Sequence, residues 1–502
     1  MKLLFISLGC DKNLVDTEFM LGMIRDAGTF DGQPIEMTDD EYQADIIIIN
    51  TCCFINDAKE ESINTILEMA EHKRDAKLKA LIVTGCLAQR YKEEIRKEIP
   101  EVDAILGTNS YEDIVNAITE ALGGRFYENF ETLEGLPKLT AKRSVTTGGH
   151  FAYLKIAEGC NKRCTYCIIP YIRGNYRSVP MEELVAQAKE LVAAGAKELI
   201  LVAQETTLYG VDLYGEKSLH KLLDALNEIP GLFWIRIMYC YPEEIYEELI
   251  DAIARNEKVC HYLDLPIQHA NDTMLKRMGR RTSNADLVRI ITHLRERIPD
   301  ITLRTTLICG FPGETKEMHE ELMQFINDME FDRLGAFTYS PEEGTPAAEF
   351  PDQIDEETKK EWQADVMELP LHRLLRLNHG ALGGAEGILG RILPVFAHFK
   401  QWSQRILFHA QATTLYSACN VSSKVLFSSK PCLRNAFTAL IRASASSASL
   451  SDPFLYSPIC TSNSTSANFA STLRSACAAF LCSFVTMAFI TRLTLACTSM
   501  AG

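Results

Sequence analysis

Residues 45–52 read DIIIINTC, an apolar run of four isoleucines that stops at two small polar residues and a cysteine. Two other segments have this form: LLFISLGC at 3–10 and ALIVTGC at 80–86. Short, continuous runs of this kind are typical of strands buried on both faces of a parallel sheet. Helical patterns separate them, NLVDTEFMLGMIRDAG at 13–28 and EESINTILEMAEH at 60–72. We therefore predict an α/β layer with a parallel sheet over residues 1–124.

A cysteine directly follows each of the three runs, at positions 10, 52 and 86. Because the carboxyl ends of parallel strands meet at one edge of a sheet, we expect Cys10, Cys52 and Cys86 to lie on the same rim. The alternative is that each is a structural cysteine that packs as a small hydrophobic residue. Cys53 is left out of this set, because neighbouring side chains at a strand end point in opposite directions.

A second series of strands follows a polar connector at 125–148. Its six strand candidates alternate with helical segments, a pattern that predicts a partial α/β barrel over 149–369, since a complete barrel needs eight units. The candidates are YLKIAEGC, ELILVAQET, FWIRIMYCYP, YLDLPIQHA, LRTTLICGFPGE and RLGAFTYSP.

The composition changes in residues 370–502, which are rich in Ser, Ala, Leu and Cys and show no clear structural period. We interpret this tail as frameshifted or foreign, with an unusual natural tail as the alternative. Its apolar stretch at 476–490 is shorter than the roughly 18 residues that a spanning helix needs. The apolar run at the start of the chain is likewise too short for a signal peptide. We expect a cytoplasmic protein that does not enter a membrane.

The chain carries a net charge of −16, and this charge is unevenly distributed. Residues 371–502 contain eleven Lys and Arg against two acidic residues, so residues 1–370 carry about −25. Such an acidic body repels a polyphosphate and attracts a basic protein. Sixteen cysteines in 502 residues are too sparse for a disulfide scaffold and indicate thiols with individual roles.

Residues 158–168 read EGCNKRCTYCI and place Cys160, Cys164 and Cys167 directly after the first barrel strand. A zinc site normally closes with four ligands, and no further Cys or His lies within the next dozen residues. Three thiolates suit a 4Fe–4S cluster that leaves one iron without a protein ligand. A structural zinc and thiols without a function are the alternatives.

This C-x3-C-x2-C spacing, with Tyr166 before the last cysteine, resembles the radical S-adenosylmethionine enzymes. The resemblance implies that the open iron chelates the amino and carboxylate groups of S-adenosylmethionine. It also implies that an electron from the cluster cleaves the sulfonium to give a 5′-deoxyadenosyl radical, with Tyr166 among the cofactor-binding residues.

Three segments together resemble the methylthiotransferase family: NTCCF at 50–54, TGCLAQR at 84–90 and EGCNKRCTYCIIPYIRG at 158–174. The resemblance implies a second 4Fe–4S cluster, bound by Cys10, Cys52 and Cys86, that holds or donates sulfur. It covers residues 1 to about 369.

Four segments are similar to the family branch that modifies ribosomal protein S-twelve (RimO-like): GCDKNLVDTE at 9–18, LVAQETTLYGVD at 201–212, LDLPIQHAND at 263–272 and YSPEEGTPAA at 339–348. The resemblance implies a transferase that adds a methylthio group to the β-carbon of an aspartate. It further implies an external electron donor and no direct requirement for nucleic acid. The alternative branch modifies an adenosine of transfer RNA, which the acidic body disfavours.

The segment ICGFPGET at 308–315 resembles the glycine-rich strand end that lies along the adenosyl group. Gly310 and Gly313 are therefore expected at the cofactor, with a tight turn as the alternative. Gln204, Gln268 and Arg304 are expected to face the cofactor, although polar residues inside a barrel often satisfy one another. No residue is assigned as catalytic.

The family is expected to end in a small β-barrel, the TRAM domain, which is associated with substrate engagement. No such pattern is recognisable after ADVMEL at 364–369. A third hypothesis is therefore an inactive product that folds over its first 369 residues but lacks its docking domain.

Overall fold

A computed structural model describes residues 1–75, 77–137 and 142–380, without the side chains of residue 75 and residues 369–380. These residues belong to one compact unit, Met1–Ala385. The predicted tail at 370–502, including the question of a TRAM domain, lies outside the described residues except for the backbone of 370–380. None of the described helices has a stretch both long and apolar enough to cross a bilayer.

The first domain is built on a six-stranded, all-parallel sheet with strand order β4-β1-β5-β6-β7-β8. Its strands are β1 (Lys2–Ser7), β4 (Glu36–Met37), β5 (Ile46–Thr51), β6 (Ala80–Gly85), β7 (Ala104–Leu106) and β8 (Tyr127–Asn129), and a separate hairpin pairs β2 (Thr29–Phe30) with β3 (Gln33–Pro34). The helices are α1 (Asp11–Ala27), α2 (Asn56–Asp75), α3 (Cys86–Arg90), α4 (Lys92–Glu98) and α5 (Ile114–Leu122).

The run of four isoleucines forms the centre of this sheet, as predicted. All four side chains are 0% exposed. Ile47 and Ile49 pack into the apolar cluster on one face of the sheet, and Ile46 and Ile48 into the cluster on the other. Strands β4, β7 and β8 were not predicted, because strands of two or three residues are too short to show a period.

The second domain is the predicted partial barrel, a six-stranded parallel sheet with order β16-β15-β14-β13-β12-β9. Its strands are β9 (Phe151–Lys155), β12 (Glu198–Val202), β13 (Trp234–Ile237), β14 (Val259–Asp264), β15 (Thr302–Cys309) and β16 (Arg333–Thr338), and β10 (Ala157–Glu158) pairs with β11 (Arg177–Ser178). The helices are α6 (Ile169–Arg173), α7 (Met181–Ala193), α8 (Val211–Tyr214), α9 (Leu219–Asn227), α10 (Glu247–Arg255), α11 (Asp272–Arg277), α12 (Asn284–Arg297), α13 (Lys316–Met329) and α14 (Glu356–Gly380).

Two elements do not follow the predicted division into domains. Strand β8 falls inside the predicted connector at 125–148, yet it pairs with β7 and belongs to the first sheet. Helix α14 continues through residue 369, where the predicted barrel domain ends.

Candidate functional site

The start of helix α1 lies against the carboxyl end of barrel strand β13. The Tyr239 hydroxyl donates a hydrogen bond to Asp11 Oδ1 over 3.2 Å, and Lys12 Nζ lies 3.3 Å from the centre of the Tyr239 ring. Since Asp11 directly follows Cys10, these contacts place the first domain's cysteine edge beside the mouth of the barrel.

The three strand-end cysteines of the first domain lie close together. Cys10 is exposed and immediately precedes α1, whereas Cys52 and Cys86 are each only 6% exposed. A Cβ atom on Gly9 would lie 2.8 Å from Cys52 Sγ, so the Cys52 sulfur packs directly against the backbone beside Cys10. Cys86 Sγ is 3.8 Å from Asn13 Oδ1, in the first turn of α1. The fold thus brings the predicted ligands to one rim, as the strand pattern indicated.

Cys160, Cys164 and Cys167 lie in the loop between β10 and α6. Cys160 and Cys164 are buried, and Cys167 is half-buried. The Lys162 amide donates to Cys160 Sγ over 3.5 Å, and the Tyr241 hydroxyl lies 3.8 Å from Cys164 Sγ. These polar neighbours can stabilise negative charge on the sulfur atoms.

Burial makes four of these thiols weaker acids. It raises the pKa of Cys160 to about 11 and also raises the pKa of Cys52, Cys86 and Cys167. Arg173 opposes this effect at Cys52 and Cys86 through its positive charge. These sulfurs therefore become thiolates when a bound cation displaces their protons.

Each triplet supplies three thiols, the ligand number that leaves one iron of a 4Fe–4S cluster without a protein ligand. All six cysteines are free thiols, and each triplet is gathered on one loop or one sheet edge. Within the described residues, no three Cys, His, Asp or Glu side chains converge on one point as ligands of a single metal ion.

A cavity of about 410 Å³ opens inside the barrel next to the first domain. It is lined by Asp11 of α1 and by barrel residues Tyr153, Ile200, Arg236, Met238, Tyr239 and Tyr262. Because Asp11 adjoins Cys10, an acceptor group in this cavity would lie beside the first domain's cysteine edge.

Comparison with known proteins identifies two family models and close relatives. Residues 154–326 match the Radical SAM superfamily, and residues 2–107 match the uncharacterized protein family UPF0004. The ribosomal protein uS12 methylthiotransferase RimO of Lachnoclostridium phytofermentans is 60% identical over 401 residues, covering 80% of this chain and 88% of that protein. RimO of Clostridium perfringens strain SM101 is 50% identical over 391 residues, covering 76% of this chain and 85% of that protein.

This chain belongs to the RimO family. It is an enzyme of the radical SAM methylthiotransferase class, and the radical SAM match implies one 4Fe–4S cluster and S-adenosylmethionine. Among solved structures, the radical S-adenosylmethionine methyltransferase TsrM of Kitasatospora setae matches with a TM-score of 0.48 and 16% identity, covering 67% of this chain and 72% of that one.

The polar residues expected at the cofactor of this RimO-family chain have partners of their own. Gln204 donates to Glu158 Oε1 over 2.7 Å, while its own Oε1 is buried without a partner among the described residues. Arg304 is ion-paired with Asp264, the last residue of β14. Gln268 has a φ of +71° and bridges by its backbone to Leu307 of β15. Their roles in cofactor binding stay predictions.

Gly310 and Gly313 form the turn between β15 and α13 with φ angles of +71° and +80°. A Cβ atom on Gly310 would collide with the Lys359 side chain, and one on Gly313 would lie 2.5 Å from Asp352 Oδ2. The close approach of the chain's own residues therefore accounts for both glycines. Contact with the adenosyl group stays a prediction.

The Tyr166 ring packs against the ring of Phe311, with centroids 6.4 Å apart in an edge-to-face arrangement, and its hydroxyl interacts with Cys164. Phe311 also packs against Tyr339, with ring centroids 5.1 Å apart, so Tyr166 joins an aromatic cluster next to the loop of the radical SAM cysteines. Binding of the cofactor by Tyr166 stays a prediction.

A buried network of charges between the two domains was not predicted. Arg173 Nη1 contacts Asp16 at 2.9 Å and Glu158 at 3.2 Å, and Lys155 contacts the same two carboxylates. The sequence gives one indication of this network: α1 has polar residues at positions where an amphipathic helix normally has apolar residues. Their partners lie more than 130 positions away along the chain, beyond the reach of any local pattern.

Proposed function

We propose that this chain transfers a methylthio group to the β-carbon of an aspartate in ribosomal protein uS12, with a 4Fe–4S cluster on each cysteine triplet. The observation that supports it is that both triplets lie near the carboxyl end of β13, through the contacts of Asp11 with Tyr239 and of Cys164 with Tyr241, in a chain 60% identical to a RimO protein. We further propose that the enzyme works in the cytoplasm, where thiols stay reduced, and receives electrons from an external donor.

Each of the two domains would hold one of the clusters. Cys160, Cys164 and Cys167 would hold the cluster that, with S-adenosylmethionine, supplies the radical chemistry needed to activate an unreactive C–H bond. Cys10, Cys52 and Cys86 would hold the second cluster, the site at which sulfur is delivered.

The barrel cavity would receive the acceptor aspartate. Arg236 contributes a guanidinium that is ion-paired with Glu198 through Nε, which leaves its terminal nitrogens able to meet a carboxylate. Tyr153 and Tyr262 line the same cavity and would pack against the acceptor side chain. The net acidic body favours a basic ribosomal protein over transfer RNA as the partner, and no nucleic acid is required in this scheme.

Iron content tests the two-cluster assignment. The full chain, purified without oxygen, is expected to hold about eight irons, because two cubane clusters contain four each. Replacing either triplet with alanine should remove about half of the iron. Retention of all iron after loss of Cys10, Cys52 and Cys86 would contradict the second site.

Assays on two substrates test the acceptor. Mass spectrometry should find one added methylthio group on the aspartate of uS12 and none on transfer RNA.

The same assay on a chain truncated after residue 369 tests the inactive alternative. If both chains cleave S-adenosylmethionine and neither modifies uS12, the chain lacks a functional docking domain.

A further inference from the structure

Arg173 lies six residues after Cys167, at the end of α6, yet its side chain contacts the first domain. The side chain is only 2% exposed. Its Nη1 meets Asp16 of α1 at 2.9 Å, and its Nη2 donates to Asn13 Oδ1. One guanidinium thus connects the radical SAM cysteine segment to the helix that follows Cys10.

Asn13 in turn holds the strand ends that carry the other cysteines. Its Nδ2 donates to the carbonyls of Leu8 and Thr51, each over 3.0 Å. These carbonyls lie at the ends of β1 and β5, within two residues of Cys10 and Cys52. With both amide hydrogens engaged, Asn13 presents its oxygen to Arg173.

The third cysteine belongs to the same arrangement. Cys86 Sγ lies 3.8 Å from Asn13 Oδ1, the atom that accepts from Arg173. Burial works against the charge of Arg173, but the neighbouring Cys86, Glu158 and Asp16 outweigh it and hold the pKa of the guanidinium above its ordinary value. A permanent cation therefore lies beside the first domain's cysteine site.

We propose that Arg173 is a positioning residue that couples the two cysteine triplets. Through Asn13 it fixes the relative positions of the loops carrying Cys10, Cys52 and Cys86. Through its charge it stabilises the more negative, reduced state of a cluster held there and so makes the reduction potential more positive. The second effect rests on the proposed second cluster, whereas the first is a property of the polypeptide alone.

The test compares Arg173→Met with Lys155→Met in the full-length chain. Both variants remove a buried cation that pairs with Asp16 and Glu158, but only Arg173 contacts Asn13. Removing the Arg173 charge by itself lowers the thiolate fraction of Cys52 and Cys86, so alkylation rates are compared per thiolate, after correction for the titration of each thiol. On that basis, Arg173→Met in the cluster-free chain is expected to increase the alkylation rates of Cys52 and Cys86 at least fivefold. Lys155→Met should change them less than twofold. Equal effects of the two variants, or no effect of Arg173→Met, would overturn the positioning role.

The potential is measured on the full chain with the radical SAM cysteines replaced by alanine, so that one cluster remains. Arg173→Met is expected to shift its potential to more negative values, with a smaller shift in Lys155→Met. An unchanged potential in Arg173→Met refutes the charge effect. Absence of any cluster in the parent chain refutes the second cluster itself, and the alkylation result then still decides the positioning role.

Arg173→Lys covers the case in which Arg173→Met does not fold. Lysine keeps the charge but cannot reach Asn13 and Asp16 with two separate donor groups. We expect alkylation at least threefold faster than in the parent, with a potential close to that of the parent. Alkylation at the parent rate overturns the positioning role, and a potential clearly more negative than that of the parent overturns the charge effect.

Discussion

Two glycines give the cysteine loops their shape. Gly9 has a φ of +87°, and a Cβ atom there would lie 2.6 Å from Cys52 Cβ. Gly159 has a φ of +78°, and its Cβ would lie 2.6 Å from Gly174 O and closer still to Asn175 O. Each glycine precedes a cysteine and lets a second segment pack against the backbone at that point. Glycine is thus required next to these cysteines, where a second segment of the chain packs against the backbone.

Gly159→Ala is expected to disrupt the loop of Cys160. Alanine at a positive φ costs about 1–2 kcal/mol, and here a collision with the backbone of residues 174–175 adds to that cost. We expect the chain to lose most of the iron bound by the radical SAM triplet, measured by metal analysis after anaerobic reconstitution.

Gly215→Ala is the matched control, because Gly215 has a φ of +74° but a Cβ atom added there would have no other atom within 4 Å among the described residues. It should cost about 1 kcal/mol of unfolding free energy, without loss of iron. Equal iron loss in both variants would show that conformational strain, not the collision, is responsible.

Helix α1 and the turn before α13 are the elements that organise the barrel mouth. The first turn of α1 is held against β13 by Tyr239, through one hydrogen bond and one contact with a lysine ammonium group. The turn before α13 is held by Glu314, which accepts from the amides of Gly310 at 2.7 Å and Phe311 at 3.1 Å. The contact of Tyr239 with α1 joins the two domains, and the hydrogen bonds to Glu314 close a tight turn within the barrel domain.

Tyr239→Leu is expected to loosen the start of α1. The contact between Lys12 and the Tyr239 ring is worth about 1–2 kcal/mol when buried, so amide hydrogen exchange at the start of α1 should accelerate roughly tenfold. Tyr246→Leu also removes a ring that faces a lysine, Lys217 at 5.3 Å, but away from α1. It should leave exchange in α1 unchanged, and acceleration in both variants would contradict the docking role of Tyr239.

Glu314 should make stability depend on pH in the acid range. Burial alone would raise its pKa, but hydrogen bonds from His269 and the Phe311 amide outweigh burial and hold the pKa at about 2, against an ordinary 4.5. A depressed folded-state pKa contributes stability that is present above pH 4.5 and is lost as pH falls towards 2. The contribution at neutral pH is on the order of 3 kcal/mol.

Glu314→Gln should therefore destabilise the chain at pH 7, measured by urea unfolding. The gap between parent and variant should narrow as the pH is lowered below 5. A gap that stays constant from pH 7 to pH 4 would show that the carboxylate charge at Glu314 does not contribute.

Across the whole molecule, charge sets which partner is attracted. Residues 1–370 carry about −25, and long-range attraction between this body and a basic protein is screened by salt. The first domain and the barrel share a buried charge network, so the two cysteine sites are held within one compact unit. Substrate capture and cluster geometry therefore depend on different sets of charges, one exposed and one buried.

Raising the ionic strength should weaken capture of uS12 without affecting chemistry. We expect the KM for uS12 to rise roughly tenfold between about 0.05 M and 0.5 M salt, with kcat little changed. Cleavage of S-adenosylmethionine in the absence of uS12 serves as the control and should not respond to salt. A KM independent of salt would show that contacts other than charge govern capture.

The continuous apolar runs were enough to predict two parallel sheets and to place Cys10, Cys52 and Cys86 at one edge, because a strand buried on both faces has a local signature. The cysteine spacing after β10 was likewise visible without coordinates. The contacts of Arg173 with Asn13, of Tyr239 with α1 and of Arg304 with Asp264 were not, because they join residues 40 to 228 positions apart. Such pairs form only when strands and helices pack in three dimensions. A local sequence period therefore does not show which two distant side chains will be in contact.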